Sequence, residues 1–241
     1  MNNFGLIGKS LGHSFSKTFF ESYFKENDID GAYSNFEINS IDEIKTILTK
    51  DIQGLNVTIP YKEEVIPFLD GLSDEAKAIG AVNTIEFENG KTIGHNTDAF
   101  GFHQSVKPFL SNQHERAVIL GTGGASKAVE FALNSIGVDV IFISRKPKGN
   151  NQFSYADINS YMIDACKLIV NCTPVGTYPN FDEEIDLPYD SLTENHLVVD
   201  LIYNPPKTIL LRMAEKQGAI ALNGYSMLKE QALRAWSIWN K

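Results

Sequence analysis

A glycine-rich turn between an apolar strand and an amphipathic helix constrains this 241-residue chain more than any other feature. Residues 117–120 are all apolar and predict a buried strand. After the glycines of 121–124, apolar residues recur at helical spacing and predict one buried helix face: Ala128, Val129, Ala132, Leu133 and Ile136. Gly137 ends this helix, and residues 138–143 predict the next strand. This order indicates the strand–turn–helix–strand unit of an α/β fold.

The turn itself predicts a site for a dinucleotide. Backbone N–H groups at the start of a helix hold a pyrophosphate in such units. Gly121 permits the tight turn, and Gly123 with Gly124 lets a phosphate approach the backbone. Ser126 stands where the fingerprint has its third glycine, and a small side chain there still allows helix and strand to pack closely. The alternative is a turn that only joins strand to helix.

The residues after the second strand favour NADP over NAD. An NAD site has an acidic residue about 20 residues past the glycines, where it binds the ribose 2′-hydroxyl. This chain instead has Arg145 after Ser144, with Lys146 and Lys148 close by. The planar guanidinium of Arg145 suits a 2′-phosphate, and the lysines are possible helpers. The alternative is a solvated basic turn.

Charge and cysteine content narrow the class of protein. The formal net charge of -9 argues against nucleic acid or anionic membranes as partners, since both require a basic surface. An anionic ligand must therefore be captured by local groups. Cys166 and Cys172 do not form a C-x-x-C pair, which suggests a reducing compartment. With no signal-peptide pattern and no apolar stretch of membrane-spanning length, we expect a cytoplasmic protein.

The first part of the chain alternates strands and helices. Residues 4–7 and 32–38 predict strands, and a helix is expected to begin near Lys17. Ser16 is a possible N-cap of that helix. Ser40 and Glu43 form a capping-box pattern that opens another helix.

A lysine follows the next strand. Residues 54–62 predict a strand that Pro60 ends, followed by the start of a helix. Lys62 at that helix head opposes the helix dipole, which would disfavour its cationic form. It is either a solvated surface group or a residue positioned for chemistry.

A polar triplet precedes a further helix. Residues 73–79 predict a helix closed by Gly80, and 81–87 with 92–95 predict a hairpin across Asn89 and Gly90. Asn96, Thr97 and Asp98 then lead into a helix over 99–110. Asp98 could be its ordinary N-cap.

The second half predicts a parallel sheet. Residues 168–171, 198–201 and 219–222 are expected strands, and 207–217 and 226–239 expected helices. Polar residues 171–176 and 203–205 follow strands, where open α/β sheets bind ligands. Gln231 lies within the last helix, and plain solvent exposure is its simplest interpretation.

Seven motifs in order give the chain a family resemblance. They are residues 13–16 (HSFS), 56–62 (NVTIPYK), 80–84 (GAVNT), 96–98 (NTD), the Gly121 loop, 171–176 (NCTPVG) and 200–205 (DLIYNP). Over nearly its whole length the chain resembles the shikimate dehydrogenase family. That resemblance implies two open α/β domains. Residues 1–98 with 225–241 would form the substrate-binding domain, 99–224 a Rossmann-type NADP-binding domain, and the last helix would return to the first domain.

The resemblance also implies an activity and a set of site residues. The activity is the reversible reduction of 3-dehydroshikimate to shikimate with NADPH, a step of chorismate and aromatic amino acid biosynthesis. Lys62 and Asp98 would be catalytic. The substrate would contact Ser14, Ser16, Thr58, Lys62, Asn83, Asp98, Tyr203 and Gln231. The cofactor would contact Gly121, Thr122, Gly123, Gly124, Ala125, Ser126, Ser144, Arg145, Lys146, Thr173 and Gly224.

Some positions depart from the family pattern, and some alternatives stay open. Ser10 and Lys17 replace common prolines, Ser144 replaces an asparagine, and Thr177 replaces a methionine, which puts details of nicotinamide packing in doubt. The nearest alternatives are a quinate/shikimate dehydrogenase of broader substrate and cofactor use and a non-catalytic ligand-binding relative. The five histidines lack the spacing of metal ligands, so no metal is expected. A monomer or a homodimer is expected.

Overall fold

The structure is a computed structural model that describes residues 2–12 and 14–241. It divides into two compact units. The first comprises the chain up to Gly101 together with Leu228–Lys241, and the second is Phe102–Met227. Among the described residues, every helix is too short or too polar to pass through a lipid bilayer.

The first unit is built on a six-stranded sheet. Its strands are β1 (Asn2–Gly8), β2 (Gly31–Glu37), β3 (Gly54–Val57), β4 (Gly71–Leu72), β5 (Thr84–Glu88) and β6 (Lys91–His95). Their order in the sheet is β2-β1-β3-β5-β6-β4. β1 pairs in parallel with both β2 and β3, whereas β5 is antiparallel to β3 and β6. The helices are α1 (Phe15–Glu26), α2 (Ile44–Leu48), α3 (Asp74–Ile79) and α4 (Asp98–Val106), the last of which runs on into the second unit.

The second unit contains a six-stranded sheet that is parallel throughout, as predicted. Its strands are β7 (Arg116–Leu120), β8 (Asp139–Ile143), β9 (Gln152–Phe153), β10 (Leu168–Asn171), β11 (Leu197–Asp200) and β12 (Ile220–Leu222). The order is β12-β11-β10-β7-β8-β9. The helices are α5 (Gly124–Asn134), α6 (Ser160–Ala165) and α7 (Ile209–Lys216). The chain then enters α8 (Tyr225–Trp239), most of which belongs to the first unit.

The first sheet buries apolar side chains on both faces. Along β1, Phe4 and Leu6 contribute to one cluster and Ile7 to another, which follows from the alternation of side chains along a strand. The aromatic cluster also contains Phe20 and Phe24 of α1, and Trp236 and Trp239 of α8 pack against it. Trp239 stacks on Phe4 at 5.2 Å between ring centroids, and its Nε1 donates to the carbonyl of Ile85 at 3.0 Å. These contacts hold α8 on the first sheet.

Local turn chemistry agrees with the predicted hairpin and differs elsewhere. Asn89 and Gly90 both have positive φ, 52° and 75°, as a two-residue hairpin turn requires. Ile136 was predicted to face the core, but α5 ends at Asn134 and Ile136 is 40% exposed in the turn before Gly137. The helix predicted over 99–110 gives way after Val106 to a short 3₁₀ turn containing Pro108, because proline lacks the N–H that continues an α-helix.

Two buried histidines close turns that precede strands of the second unit. Nδ1 of His114 accepts the backbone N–H of Ser111 at 2.9 Å, and Nδ1 of His196 accepts that of Thr193 at 3.0 Å. An accepting Nδ1 places the ring proton on Nε2, which in His196 points at the carbonyl of Ile163 at 3.0 Å. Both rings are therefore neutral. Burial lowers the pKa of both side chains.

We predict that acid weakens the second unit through His196. An unfolded histidine has a pKa of about 6.5, so below that pH the unfolded chain binds a proton that the folded chain resists. The free energy of unfolding then falls as pH drops from 7 towards 5, by at most about 1.4 kcal/mol per pH unit for one histidine. Urea unfolding at pH 7.5 and 5.5 should show a smaller loss for His196→Gln than for wild type. Equal losses would contradict this.

Candidate active site

A buried ion pair lies at the centre of the polar residues of the first unit. Nζ of Lys62 lies 2.5 Å from Oδ2 of Asp98, and the two side chains are 16% and 7% exposed. The backbone carbonyl of Lys62 accepts the N–H of Val82 at 2.7 Å, which fixes the lysine relative to the strand that follows. An ammonium group can donate three hydrogen bonds, and Asp98 accepts one of them. Lys62 can therefore also donate to an oxygen of a bound molecule.

The prediction of a helix beginning at Lys62 is wrong. Residues 59–65 form successive turns, and a short 3₁₀ segment, Ile66–Phe68, follows. Pro60 and Pro67 bracket this stretch, and neither can donate the N–H that an α-helix interior needs. Among the described residues no α-helix therefore begins at Lys62, and the argument that the dipole of such a helix eases proton release falls with it. The opposite charge that Lys62 does meet is Asp98.

Asp98 is not the cap of the helix that it begins. Oδ1 of Asn96 accepts the backbone N–H groups of Asp98 and Ala99, at 3.0 and 3.2 Å. The amide nitrogen of Asn96 donates in turn to the carbonyl of Ala81 at 3.0 Å. Because Asn96 caps α4, the carboxylate of Asp98 is left for Lys62. The possibility that Asp98 is an ordinary N-cap is thereby excluded.

Amide side chains surround the ion pair. Nδ2 of Asn83 donates to Oδ1 of Asp98 at 2.8 Å, while Oδ1 of Asn83 accepts the backbone N–H of Thr97 at 2.7 Å. Gln231 of α8 is only 6% exposed, and its Oε1 lies 3.4 Å from Nδ2 of Asn83. The simplest interpretation of Gln231, plain solvent exposure, is therefore excluded. The structure brings Lys62, Asp98, Asn83 and Gln231 together.

The two candidate serines sit at the start of α1. Ser14, and not Ser16, is the N-cap, because its hydroxyl accepts the N–H of Lys17 at 3.4 Å. Ser16 lies in the first turn, near Tyr33: burial raises the pKa of that phenol, and the Ser16 hydroxyl opposes the rise. The preceding loop is held at Leu11, whose N–H donates to Glu37 at 2.6 Å.

Two other residues of the family motifs complete this part of the chain. His13, the first residue of the HSFS motif, lies outside the described residues. Thr58 follows β3, half-buried, and its backbone N–H donates to the carbonyl of Ile7 at 2.9 Å. Its hydroxyl therefore lies on the loop that leads to Lys62.

The glycine turn of the second unit has the geometry of an anion site. Gly121 has φ +102°, and a Cβ there would also approach Thr173 to 3.1 Å. α5 begins at Gly124 with Gly123 as its N-cap, and this glycine has no side chain that could cap the helix. Thr122 and Gly123 are exposed, Gly124 and Ala125 are partly exposed, and a Cβ on Gly123 would meet nothing within 4 Å. The first N–H groups of α5 are thus open to a phosphate.

Ser126 and Cys172 pack beneath this turn. Ser126 is fully buried, consistent with a position that tolerates only a small side chain. Burial raises the pKa of the Cys172 thiol to about 12, and the neighbouring Ser126 hydroxyl offsets part of that rise. Cys172 therefore stays protonated near neutral pH and is no nucleophile.

The basic residues after β8 are exposed. The hydroxyl of Ser144 accepts the backbone N–H of Lys146 at 3.2 Å, which shapes the turn. Arg145, Lys146 and Lys148 all reach solvent. Arg145 lies near Tyr155: burial raises the pKa of that phenol, and the charge of Arg145 lowers it.

Three residues to which the sequence analysis assigned no role of their own, two of them the first residues of family motifs, fix the loops after β10 and β11. Oδ1 of Asn171 accepts the N–H and hydroxyl of Thr173, at 2.9 and 2.7 Å, and Nδ2 of Asn171 donates to Asp200 at 3.0 Å. The hydroxyl of Thr208 donates to Asp200 at 2.6 Å. Burial raises the pKa of Asp200, and its three hydrogen-bond donors oppose that rise. The sequence does carry a signal for Asn171 and Asp200, since each is a polar residue at the end of an otherwise apolar, buried strand.

Tyr203 and Gly224 lie beyond this network. Tyr203, in the loop after β11, is half-buried, and burial raises the pKa of its phenol. Gly224 donates its N–H to the carbonyl of Ile202 at 3.0 Å. A Cβ on Gly224 would overlap the backbone carbonyl of Leu201.

Comparison with known proteins gives the family. The model of the shikimate dehydrogenase substrate binding domain matches residues 6–85. A shikimate dehydrogenase (NADP(+)) of Aquifex aeolicus is 40% identical over an alignment 248 residues long. The alignment covers 98% of this chain and 90% of that protein. The chain belongs to the shikimate dehydrogenase family.

Solved structures of similar proteins show the same fold. Shikimate 5-dehydrogenase of Thermus thermophilus, in complex with NADP(H) and shikimate, matches with a TM-score of 0.88 at 30% identity, covering 100% of this chain and 94% of that one. Quinate dehydrogenase of Corynebacterium glutamicum, in complex with NAD, also matches with a TM-score of 0.88, at 27% identity, covering 99% of this chain and 93% of that one. The fold is therefore common to enzymes named for different substrates, and the site residues must distinguish them.

We predict that two glycines near the glycine turn differ sharply in their tolerance of alanine. Gly224→Ala forces a methyl group against a backbone carbonyl and should lower the free energy of unfolding by about 1–3 kcal/mol. Gly123→Ala adds its methyl to open space at φ -86° and should change it by less than about 0.5 kcal/mol. Urea unfolding without nucleotide measures both. A stable Gly224→Ala variant would show that the close approach to Leu201 is not required.

Proposed function

We propose that this chain catalyses the reversible reduction of 3-dehydroshikimate to shikimate with NADPH. The observation that carries the proposal is the buried Lys62–Asp98 pair with Asn83 and Gln231 beside it. Its supports are the match to the substrate binding domain over residues 6–85 and relatives named shikimate dehydrogenase (NADP(+)). In this proposal, residues 1–98 with 225–241 bind the substrate and 99–224 bind the cofactor.

The polar side chains of the first unit suit a small acid that carries several hydroxyl groups. Ser14 and Ser16 are the candidates for its carboxylate, since hydroxyl donors can bind an anion without adding charge. Thr58, Asn83 and Gln231 offer hydroxyl and amide groups to the ring oxygens, with Tyr203 as a further contact. Recognition by directional hydrogen bonds rejects substrates that lack the matching groups, because a buried donor is then left unpaired.

Lys62 and Asp98 act as a proton-transfer unit. When bound, NADPH supplies the hydride for the keto carbon. The charge that develops on the keto oxygen requires a proton, which Lys62 donates. Asp98 holds the ammonium group in place and accepts a hydrogen bond from a ring hydroxyl of the substrate. Asn83 fixes the second oxygen of Asp98. In the reverse reaction the same lysine, once neutral, removes the hydroxyl proton.

The second unit offers a cofactor site whose residues fit NADP. The open N-terminus of α5 and the turn of Gly121, Thr122, Gly123, Gly124, Ala125 and Ser126 suit the pyrophosphate. Arg145, with Ser144 and Lys146, suits the 2′-phosphate, and its exposure leaves the guanidinium available. Thr173 and Gly224 lie on loops at the same end of the parallel sheet, since both follow strand ends.

Two alternatives are distinguished by particular residues. A quinate dehydrogenase that prefers NAD would need no cation at Arg145. A binding protein without catalysis would not need Lys62 and Asp98 in contact. We further expect a cytoplasmic monomer or homodimer without nucleic acid or membrane partners, in keeping with the net charge of -9.

The experiment that tests the activity follows NADPH absorbance with 3-dehydroshikimate. The same assay with NADH, and the reverse assay with quinate and either oxidised cofactor, measures both preferences. We expect the highest kcat/KM with NADPH and 3-dehydroshikimate. Higher values with quinate and NAD would favour the first alternative, and no turnover with any pair would favour the second.

We predict that Lys62→Ala lowers kcat by about 10²–10⁴-fold, the usual scale of general acid–base catalysis. KM for the substrate should change far less, because the hydroxyl and amide contacts remain. Groups that act as a unit are non-additive, so Lys62→Ala combined with Asp98→Ala should be little worse than the poorer single variant. Steady-state kinetics measures all three.

A matched control is available for this pair. Lys77→Ala removes an exposed ion pair with Asp74 in the same unit and should leave kcat unchanged. A near-normal kcat in Lys62→Ala would instead return that lysine to a structural role.

We predict that Arg145→Ala raises KM for NADPH and leaves KM for NADH nearly unchanged. A charge-assisted hydrogen bond contributes about 1.5–3 kcal/mol, so the rise should be roughly ten- to a hundredfold. Arg212→Ala, which removes an exposed arginine of α7, serves as the control for loss of charge. Equal weakening of NADPH and NADH would refute the 2′-phosphate assignment.

A further inference from the structure

A continuous chain of buried hydrogen bonds runs from Tyr33 of β2 to the ion pair. The hydroxyl of Tyr33 donates to Oδ1 of Asn56 at 2.7 Å. Nδ2 of Asn56 lies 3.2 Å from the hydroxyl of Thr84. The Thr84 hydroxyl lies 3.1 Å from Oδ1 of Asn83. Asn83 then donates to Asp98, the partner of Lys62.

The protons available to each group give the series of hydrogen bonds a direction from donor to acceptor. Thr84 has one hydroxyl proton, and since its oxygen accepts from Asn56, that proton goes to Oδ1 of Asn83 at 3.1 Å, which is nearer than the Thr97 hydroxyl at 3.3 Å. Oδ1 of Asn83 also accepts the backbone N–H of Thr97 and lies 3.2 Å from the Thr97 hydroxyl. The amide can therefore sit in only one orientation, with Nδ2 towards Asp98. Hydrogen bonds arranged donor to acceptor in series polarise one another.

Thr84 itself is fully buried on β5. Its backbone pairs with Asn56 of β3 and His95 of β6. Its hydroxyl lies within hydrogen-bonding distance of Asn56 and Asn83. Its hydroxyl also lies 3.3 Å from the hydroxyl of Thr97. Of these contacts, the one to Asn83 leads directly to Asp98.

We propose that Thr84 is a positioning residue for the proton-transfer pair: its hydroxyl fixes the amide of Asn83 so that Nδ2 faces Asp98. This inference rests on the proposed function. Without that hydroxyl, Oδ1 of Asn83 is left with the backbone N–H and the hydroxyl of Thr97 as donors, and Nδ2 of Asn56 loses one of its two acceptors. The amide of Asn83 then gains freedom, and Asp98 spends less time in the geometry that holds Lys62.

The test compares Thr84→Val, which keeps the shape and removes the hydroxyl, with Thr84→Ser, which keeps the hydroxyl. Thr84→Val should lower kcat/KM for 3-dehydroshikimate roughly tenfold, the scale of one hydrogen bond. Thr84→Ser should stay within about twofold of wild type. Both are measured in the full chain with NADPH, and thermal unfolding confirms that the variants are folded. Should the valine variant fail to fold, the smaller Thr84→Ala replaces it.

The deciding measurement repeats Thr84→Val in an Asn83→Ala background. If Thr84 acts through Asn83, the second substitution should change kcat/KM by less than about twofold there, since no amide remains to be oriented. An equal tenfold loss in both backgrounds would refute the proposal, as would a serine variant no better than valine. Wild type without activity on 3-dehydroshikimate would refute the proposed function instead, which keeps the two failures apart.

Discussion

The ion pair between Lys62 and Asp98 is the interaction on which the polar interior of the first unit depends. Removing two charges from water is expensive, and their attraction offsets that only when the remaining hydrogen-bonding capacity is also satisfied. Here one oxygen of Asp98 meets Lys62 and the other meets Asn83. The Asn96 cap, the Thr97 backbone and Gln231 then follow as supports of those two contacts. The pair is better understood as a device for holding geometry than as a source of stability.

The two units present polar groups by different means. The second unit relies on backbone: a glycine with positive φ, an uncapped helix end and loops fixed by Asn171 and Asp200. The first unit relies on side chains that come from distant parts of the chain, so that Asn83 meets a residue 148 positions away. Backbone N–H groups suit a phosphate, because the backbone provides them whatever the side chain. Directional side chains instead suit one particular pattern of hydroxyl groups.

This difference explains how much the sequence reveals. Apolar runs, and the glycines that end helices and form turns, indicate the strands of the second unit and their parallel order, because a buried strand and a tight turn are local properties. The helix start predicted at Lys62 is wrong, and the local alternatives of a solvent-exposed Gln231 and an N-cap at Ser16 are excluded. Each depends on tertiary contacts or on proline positions that outweigh local propensity. Thr84 and Asn56 gave no signal of their own, because a buried hydrogen-bond chain is visible only once β3 and β5 are paired.

The packing of α8 on the first sheet has a consequence for how the chain is made. Trp236 and Trp239 pack against the aromatic cluster that contains Phe4, Phe20 and Phe24. During synthesis these tryptophans emerge after the whole of the second unit, which is continuous in sequence. The ribosome therefore releases a complete second unit while the first still exposes part of its core. Residues of β1 and α1, which precede the second unit in sequence, are thus sealed from water after it, and a chaperone that binds aromatic surface would find its target there.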